Sequence, residues 1–567
     1  MRKLILPLCA AILLAGSSAR LFAKDDDAAK NTNNATKPVA ILSIASYDRI
    51  MADVALIGDL AGNPDLDKNL EGMLKLFTQG QGLNGLDQTR PWGVTLATDG
   101  LSFQPLVFLP VNSGKQLLES LAPLIGEPQD AGDGVQELEV FGQRILLKDA
   151  GAWLFVAQST ETLSAVPKDP TKILDGLDKA YDVGLRLYVQ NIPEVYRSLA
   201  IDQLRMGVES GMTRLPDESD EAFEARKKQA QQNIEAITAA INEVDQLTLG
   251  AALDIAAKSA HIDLTISAVA GSSFAKQISQ LQLQTSDFAG FLVSEAAASL
   301  NISAKVDKTD TEHFVAGLSA LRARAIQHIE TESKIATDDA SKKIAKEMLG
   351  EVFDAIQATL ESGRIDAGAT LQLNDKSMAL VAGAYVADPQ SLEKALKKFA
   401  QLAEKEPKFK GIKFDADKHG DVRFHTTSID VPKDQEISKV LGEKLDIAVG
   451  IGAKSAYLAV GTDSLKLTKQ LIDKSKADAS KRVPPFQLNV SLGPIFQFAA
   501  AMQDSPAVKA LSELVAKSKG KDHVSLVVTP ETNGIKIRLE GEEGVLRLLA
   551  NAGKAATQAG GAAPAAP

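Results

Sequence analysis

Three short stretches, far apart in the chain, alternate apolar and polar residues: 184–192 (GLRLYVQNI), 299–306 (SLNISAKV) and 486–493 (FQLNVSLG). A period of two marks a β-strand with one dry face. Leu185, Leu187 and Val189 share that face in the first, and Leu300, Ile302, Ala304 and Val306 in the second. In the third it carries Phe486, Leu488, Val490 and Leu492. A fourth stretch, 38–46 (PVAILSIAS), is strand-like but more continuously apolar. The opposite faces hold Arg186, Tyr188 and Gln190, then Asn301, Ser303 and Lys305, then Gln487, Asn489 and Ser491. That composition predicts a solvated polar sheet surface.

Each strand opens the same succession of signals. Pro193 suits the first turn of a helix, where its missing N–H is not needed. Thr309 and Glu312 have the spacing of a capping box. The helical stretches after the second and third strands are long enough to fold back as hairpins. In the latter, Ile344, Met348, Val352, Ile356 and Leu360 form one stripe of an amphipathic helix. Paired apolar runs follow, flanking Asp99-Gly100, residues 374–377 (NDKS) and Asn533-Gly534, with residues 247–269 as their counterpart in the second copy. Short helices at 115–124, 273–281, 390–402 and 543–551 close the four copies.

Two further phrases match each other. Residues 151–166 (GAWLFVAQSTETLSAV) and 455–472 (SAYLAVGTDSLKLTKQLI) each read as strand, polar turn and amphipathic helix, and each ends a strand-rich insert between two copies. The chain therefore divides into similar halves, 37–285 and 295–555, each written as copy, insert, copy. A repeat of this length points to duplication of a packing unit. The predicted fold is α+β: antiparallel sheets with helices on one face, built from repeated strand–helix–hairpin–helix units in two halves.

The ends and the composition narrow the setting. Arg2 and Lys3, an apolar run and Ser17-Ser18-Ala19 have the pattern of a secretory signal peptide over residues 1–19. Polar residues 20–36 and the Ala/Gly/Pro-rich residues 556–567 read as a disordered linker and tail. Export, to the periplasm or the cell exterior, is the expected destination. The one cysteine, Cys9, lies inside the signal, so the mature chain has no disulfide, thiol nucleophile or thiolate metal site. A formal net charge of −11 argues against nucleic acid as a partner. No later stretch reaches the roughly 18 apolar residues of a membrane helix.

Candidate chemistry is sparse. Residues 80–85 (GQGLNG) match a dinucleotide-loop spacing, but they follow a helix and break toward a strand, so they read as a helix stop and no cofactor is expected. Asp415, Asp417 and Asp421 around Gly420 make the best cation candidates. A calcium loop would place an oxygen ligand at His419 and a bidentate glutamate at Thr426, so a hairpin turn explains the same residues. Residues 65–72 (DLDKNLEG) have Leu70 where a cation loop requires glycine and read as a charged helix face. His419 and His425 lack a third zinc ligand at fixed spacing. Ser273 with Lys276, and Ser391 with Lys394, have serine–lysine spacing without the other elements of penicillin-recognising enzymes. Trp92 and Trp153 are the only tryptophans and both open apolar strands, which suits a core more than sugar stacking.

In layout the chain resembles exported proteins of unknown function from environmental bacteria, which share a signal peptide, few cysteines, repeated strand–helix–hairpin units and small-residue tails. The resemblance carries no diagnostic motif and implies neither an activity nor site residues. The expected function is a non-enzymatic binding or scaffold protein of the cell envelope. Its rivals are a secreted hydrolase whose site is assembled from distant residues and a carrier of apolar ligands held between sheet and helices.

Overall fold

The computed structural model describes residues 36–560 except 141, 215–217, 332–337, 405–408, 432–437, 439–442 and 504. The expected signal peptide, most of the expected linker and residues 561–567 lie outside the described residues. So does the side chain of Thr309, on which the capping box depends. The protein mixes helix with antiparallel sheet and divides into two compact units, Met1–Ala275 and Lys276–Pro567.

The first unit opens with β1 (Lys37–Ile44), α1 (Tyr47–Leu60) and α2 (Leu66–Phe77), then a hairpin of β2 (Trp92–Thr98) and β3 (Phe103–Pro110). Helix α3 (Gly114–Ile125) leads into β4 (Gln129–Gly132), β5 (Val135–Val140), β6 (Gln143–Asp149) and β7 (Trp153–Ala157). Two short helices, α4 (Thr160–Ser164) and α5 (Leu177–Ala180), flank a 3-10 helix at Pro170–Leu174. Strand β8 (Val183–Tyr188) comes next, then a helical hairpin of α6 (Glu194–Gly211) and α7 (Asp220–Glu243). The unit closes with β9 (Val244–Asp254), β10 (Ser259–Ala268) and the start of α8 (Ser273–Gln280). All its strand pairings are antiparallel, and the sheet order is β4-β5-β6-β7-β3-β2-β1-β8-β9-β10.

The second unit begins with β11 (Gln284–Thr285) and a 3-10 helix at Ala289–Phe291, ahead of β12 (Ala298–Lys305). The hairpin α9 (Lys308–Thr331) and α10 (Asp339–Glu361) precedes β13 (Arg364–Leu373), β14 (Met378–Tyr385) and α11 (Pro389–Ala403). Then come β15 (Lys413–His419), β16 (Val422–Asp430), β17 (Lys444–Ile451), β18 (Ser455–Gly461) and α12 (Ser464–Ala477). Strands β19 (Arg482–Val483) and β20 (Phe486–Ser491) lead to α13 (Leu492–Met502) and α14 (Pro506–Ala516). Strands β21 (His523–Glu531) and β22 (Gly534–Gly541) and helix α15 (Glu543–Gly560) finish it. The sheet order is β15-β16-β17-β18-β14-β13-β12-β20-β21-β22, again antiparallel throughout. Strand β11 pairs with β19, so residues 276–285 cluster with this unit.

Three features depart from the sequence expectations. Helices lie on both faces of the sheet in the first unit, not one. Leu163, Leu174 and Leu177 pack on Ile41, Phe108, Leu146 and Phe155, whereas Leu117 and Leu118 pack on Ile145, Leu147 and Leu154. Consecutive buried residues on β6 and β7 require this, because neighbouring side chains point to opposite faces. The strand expected over residues 184–192 ends at Tyr188 in a 3-10 turn, Val189–Asn191. Finally, α15 continues to Gly560, beyond the expected start of the tail.

The largest correction concerns the polar face. On β12 it is covered rather than solvated, while Arg186, Tyr188, Gln190, Gln487 and Asn489 stay half-exposed and Lys305 exposed. In β12, Ser299, Asn301 and Ser303 are all buried, Asn301 completely. Phe288 and Phe291 lie over this face against Gly368 and Gly383, where a Cβ would come within 3 Å of the rings. Asn301 Nδ2 donates to Ser286 Oγ (2.9 Å), and Ser286 Oγ donates to Asp366 Oδ1 (2.5 Å). Asp366 also accepts from the Asp287 amide and from Arg364. In the first unit Tyr181 plays the covering role. Its ring leaves no room for a Cβ at Gly250, and its hydroxyl donates to buried Asp263 (3.0 Å). Buried polar groups are tolerable when paired in this way.

Candidate functional site

The aliphatic face is left partly open to solvent in both units. In the first unit one cross-strand row runs Val107, Val94, Leu42, Leu185, Leu249, Leu264 over six strands. In the second, Leu458, Ala382, Ala369, Leu300, Leu488, Leu526 and Leu539 form the matching row. None of these side chains is fully buried. Leu249 is 49% exposed, Leu539 44% and Leu458 41%. Leu187, Ile302 and Val490, expected to face a dry core, are half-buried. A contiguous exposed apolar surface of this kind is informative where a single exposed leucine is not.

Helices stand above this face without sealing it. Tyr196 on α6 meets Phe103, with ring centroids 5.0 Å apart. Helix α6 keeps Val195, Leu199 and Met206 exposed, and α9 keeps Phe314 and Leu321 exposed. Helix α13, LGPIFQFAAAM, is apolar apart from the exposed Gln497, yet no residue of it is buried. It contacts β13 and must cross on the aliphatic side, since Phe288 and Phe291 occupy the other. A helix so nearly apolar all round ordinarily lies in a core. A separate cavity of about 470 Å³ lies between α6 and α7, lined by Val208, Met212, Phe223 and Ile234 among others.

The strongest polar constellation is a carboxyl pair that sequence reasoning missed. Asp53 on α1 and Asp182, just before β8, are 8% and 5% exposed. Burial, then the neighbouring Asp182 charge, raises Asp53 from 3.8 to about 6, with Arg49 opposing. Asp182 ion-pairs with Arg49 and accepts from the Leu253 amide (2.6 Å). One Asp53 oxygen has no partner. A signal was present: Asp53 sits on the apolar stripe of α1 beside Ile50, Leu56 and Ile57. Both carboxyls are more than nine-tenths closed to solvent, which leaves a substrate no approach to them.

A serine, a histidine and carboxylates also meet at the start of β21, but not in catalytic order. Ser491 Oγ donates to Asp522 (2.7 Å), while His523 Nδ1 faces Glu542 (2.9 Å) and its Nε2 faces the Ser294 carbonyl (3.0 Å). Both imidazole nitrogens are thus engaged away from the hydroxyl, the reverse of a nucleophile–base pair. Burial lowers the His523 pKa, but its hydrogen bonds and the Glu542 charge outweigh that and raise it.

The three cation candidates are drawn to different partners. Asp415 takes Arg423 (3.2 Å), Asp417 takes Lys469 (2.5 Å), and Asp421 accepts from the Ala453 amide (3.2 Å). His419 pairs with Asp473 (2.7 Å). His425 is buried, accepts the Asp415 amide at Nδ1 (3.0 Å) and leaves Nε2 without a partner. Among the described residues no group of three His, Cys, Asp or Glu could hold a metal ion. The serines of the two serine–lysine pairs lie in first helical turns and donate to carboxylates, Ser273 to Glu243 and Ser391 to the helix cap Asp388. Residues 80–85 close α2, with Gly80 and Gly85 in the left-handed region. Trp92 donates to the Ala45 carbonyl, and Trp153 lies in the core under Arg90. No family model, curated protein or solved structure matches the chain.

Proposed function

We propose that this is a non-enzymatic binding protein of the cell envelope, exported by its N-terminal signal, whose ligand is apolar and lies on the aliphatic sheet faces beneath the helices. One observation carries the reading: the leucine rows stay half-exposed across both sheets, even on β12, where Ser299, Asn301 and Ser303 of the opposite face are buried. At the usual strand spacing the six-strand row is roughly 24 Å long and the seven-strand row roughly 29 Å. That is the reach of an extended long-chain hydrocarbon. The hydrolase reading has less support, because the carboxyl pair is closed and the histidine cluster lacks a free base.

Duplication supports two such faces per chain. With the separate β11–β19 pair left out and the strands numbered from β1 and from β12, both sheets have the order 4-5-6-7-3-2-1-8-9-10. Leu42, Leu185, Leu249 and Leu264 have Leu300, Leu488, Leu526 and Leu539 at the corresponding places. Within each unit a strand, a helix pair, a hairpin and a helix recur on either side of the four-stranded insert. The test is titration with N-phenyl-1-naphthylamine, a neutral probe that fluoresces in apolar surroundings. Binding that weakens in both Leu249→Lys and Leu539→Lys supports the reading; no binding by the folded wild-type protein refutes it.

A further inference from the structure

The second unit brings half-covered apolar side chains and exposed lysines to the segments that flank Asp522. Helix α13 starts where β20 ends, pinned by Asp522: the Gly493 amide donates to Asp522 Oδ2 (2.8 Å) and the Leu492 amide to the Asp522 carbonyl (3.2 Å). Beyond that anchor, Ile495, Phe496 and Phe498 are only half-covered, as are Leu300, Leu488 and Leu526 on the strands. The loop from α14 into Asp522 carries Lys517, Lys519 and Lys521, all exposed. Among the described residues none of the three makes an ion pair. Asp522 is committed to Ser491 and Gly493, Glu542 to His523 and Glu543 to Arg547, and exposed Glu513 stands one helical turn before Lys517. Three unpaired cations stand out in a chain with a formal charge of −11.

Building on the apolar-ligand reading above, we infer that the α13–α14 hairpin and the face of β12, β20, β21 and β22 hold a single-chain amphiphile with an anionic headgroup. Its tail lies between α13 and the Leu300–Leu488–Leu526 row, and its headgroup meets Lys517, Lys519 and Lys521. Half-covered apolar side chains and exposed lysines complement the two parts of a monomeric long-chain carboxylate.

The experiment titrates the full chain with cis-parinaric acid, with its methyl ester, and with phosphatidylglycerol vesicles. The triple variant Lys517→Glu, Lys519→Glu, Lys521→Glu alters exposed loop residues only, and circular dichroism confirms that it folds. The expected result is about tenfold weaker binding of the acid, as befits a few exposed charge contacts, with the ester unaffected. Phe496→Gln weakens both ligands. Acid binding left unchanged by the lysine and Phe496 variants overturns this site while leaving the general reading intact. Binding to vesicles without binding to the monomeric acid overturns it in favour of a bilayer surface. Failure to bind acid, ester or the neutral naphthylamine probe removes the general reading itself.

Discussion

Replacing Asp53 by asparagine should stabilise the protein, and only at neutral and alkaline pH. The carboxyl is 8% exposed beside Asp182, and its pKa is raised from 3.8 to about 6. Below pH 3.8 the group is protonated in both the folded and unfolded chain and contributes nothing. Between 3.8 and 6 only the unfolded chain ionises, so stability falls as pH rises, and above 6 the deficit is constant. A rise of two units corresponds to about 3 kcal/mol. Asparagine has the shape of the protonated acid and can still donate toward Asp182, so Asp53→Asn should recover much of that amount at pH 8 and little at pH 4. Urea unfolding across that range measures it. Asp182→Asn is the opposing control: it weakens the Arg49 pair and the bond from the Leu253 amide, and should destabilise wherever Asp182 is ionised. An Asp53→Asn protein less stable than wild type at pH 8 would refute a buried, strained carboxyl.

Other expectations follow from the covered face of β12 and the buried histidine. Asn301→Leu removes the donor to Ser286 and the Ala367 carbonyl, and should cost about 2 kcal/mol in urea unfolding; Gln487→Leu, on a half-exposed neighbour, should be nearly neutral. Gly250→Ala puts a Cβ 2.4 Å from the Tyr181 ring, and should lose about 1–3 kcal/mol by overpacking, a loss that Tyr181→Leu in the same chain reduces. Burial lowers the His425 pKa from 6.5, so its contribution is complete above 6.5 and lost as pH falls below it. His425→Asn, which keeps an acceptor for the Asp415 amide, should flatten the stability profile below pH 6.5; an unchanged slope would show that His425 protonates freely in the fold.

Much of the architecture was legible because it rests on local chemistry. Asp99-Gly100 lies in the turn between β2 and β3, and the second hairpin turns at Thr532-Asn533, one residue earlier than Asn533-Gly534, with Asn533 at positive φ. The two long helical stretches become α6 with α7 and α9 with α10. What the alternation could not say is which face would be covered. Period two separates Leu300 and Ile302 from Asn301 and Ser303, but the cover comes from Phe288 and Phe291, and no periodicity couples that segment to β12. Polarity favoured solvent for Asn301, and a specific hydrogen-bond network overrode it. Asp53 was hidden for the same reason. Its position on an apolar helix stripe was visible, but its partner Asp182 lies 129 residues away in the chain.

The inversion of the two faces bears on function through energy. A leucine gains about 2 kcal/mol when fully buried, so Leu249, Leu458 and Leu539, each more than 40% exposed, leave a large part of that gain unrealised. The fold has not run short of covering material. In the second unit helix α13, apolar apart from Gln497, contacts β13, and it too is left half-covered. Two apolar surfaces that face one another without closing forgo the same stabilisation twice. A hydrocarbon chain between them would recover it from both sides at roughly 0.8 kcal/mol per methylene, against the entropy lost on binding. Meanwhile the hydrogen-bonded face holds the strands in register, so the aliphatic face can remain open without loss of the fold. On this reasoning a bound amphiphile completes the core of the second unit, and the protein should unfold at higher urea with cis-parinaric acid present than without it.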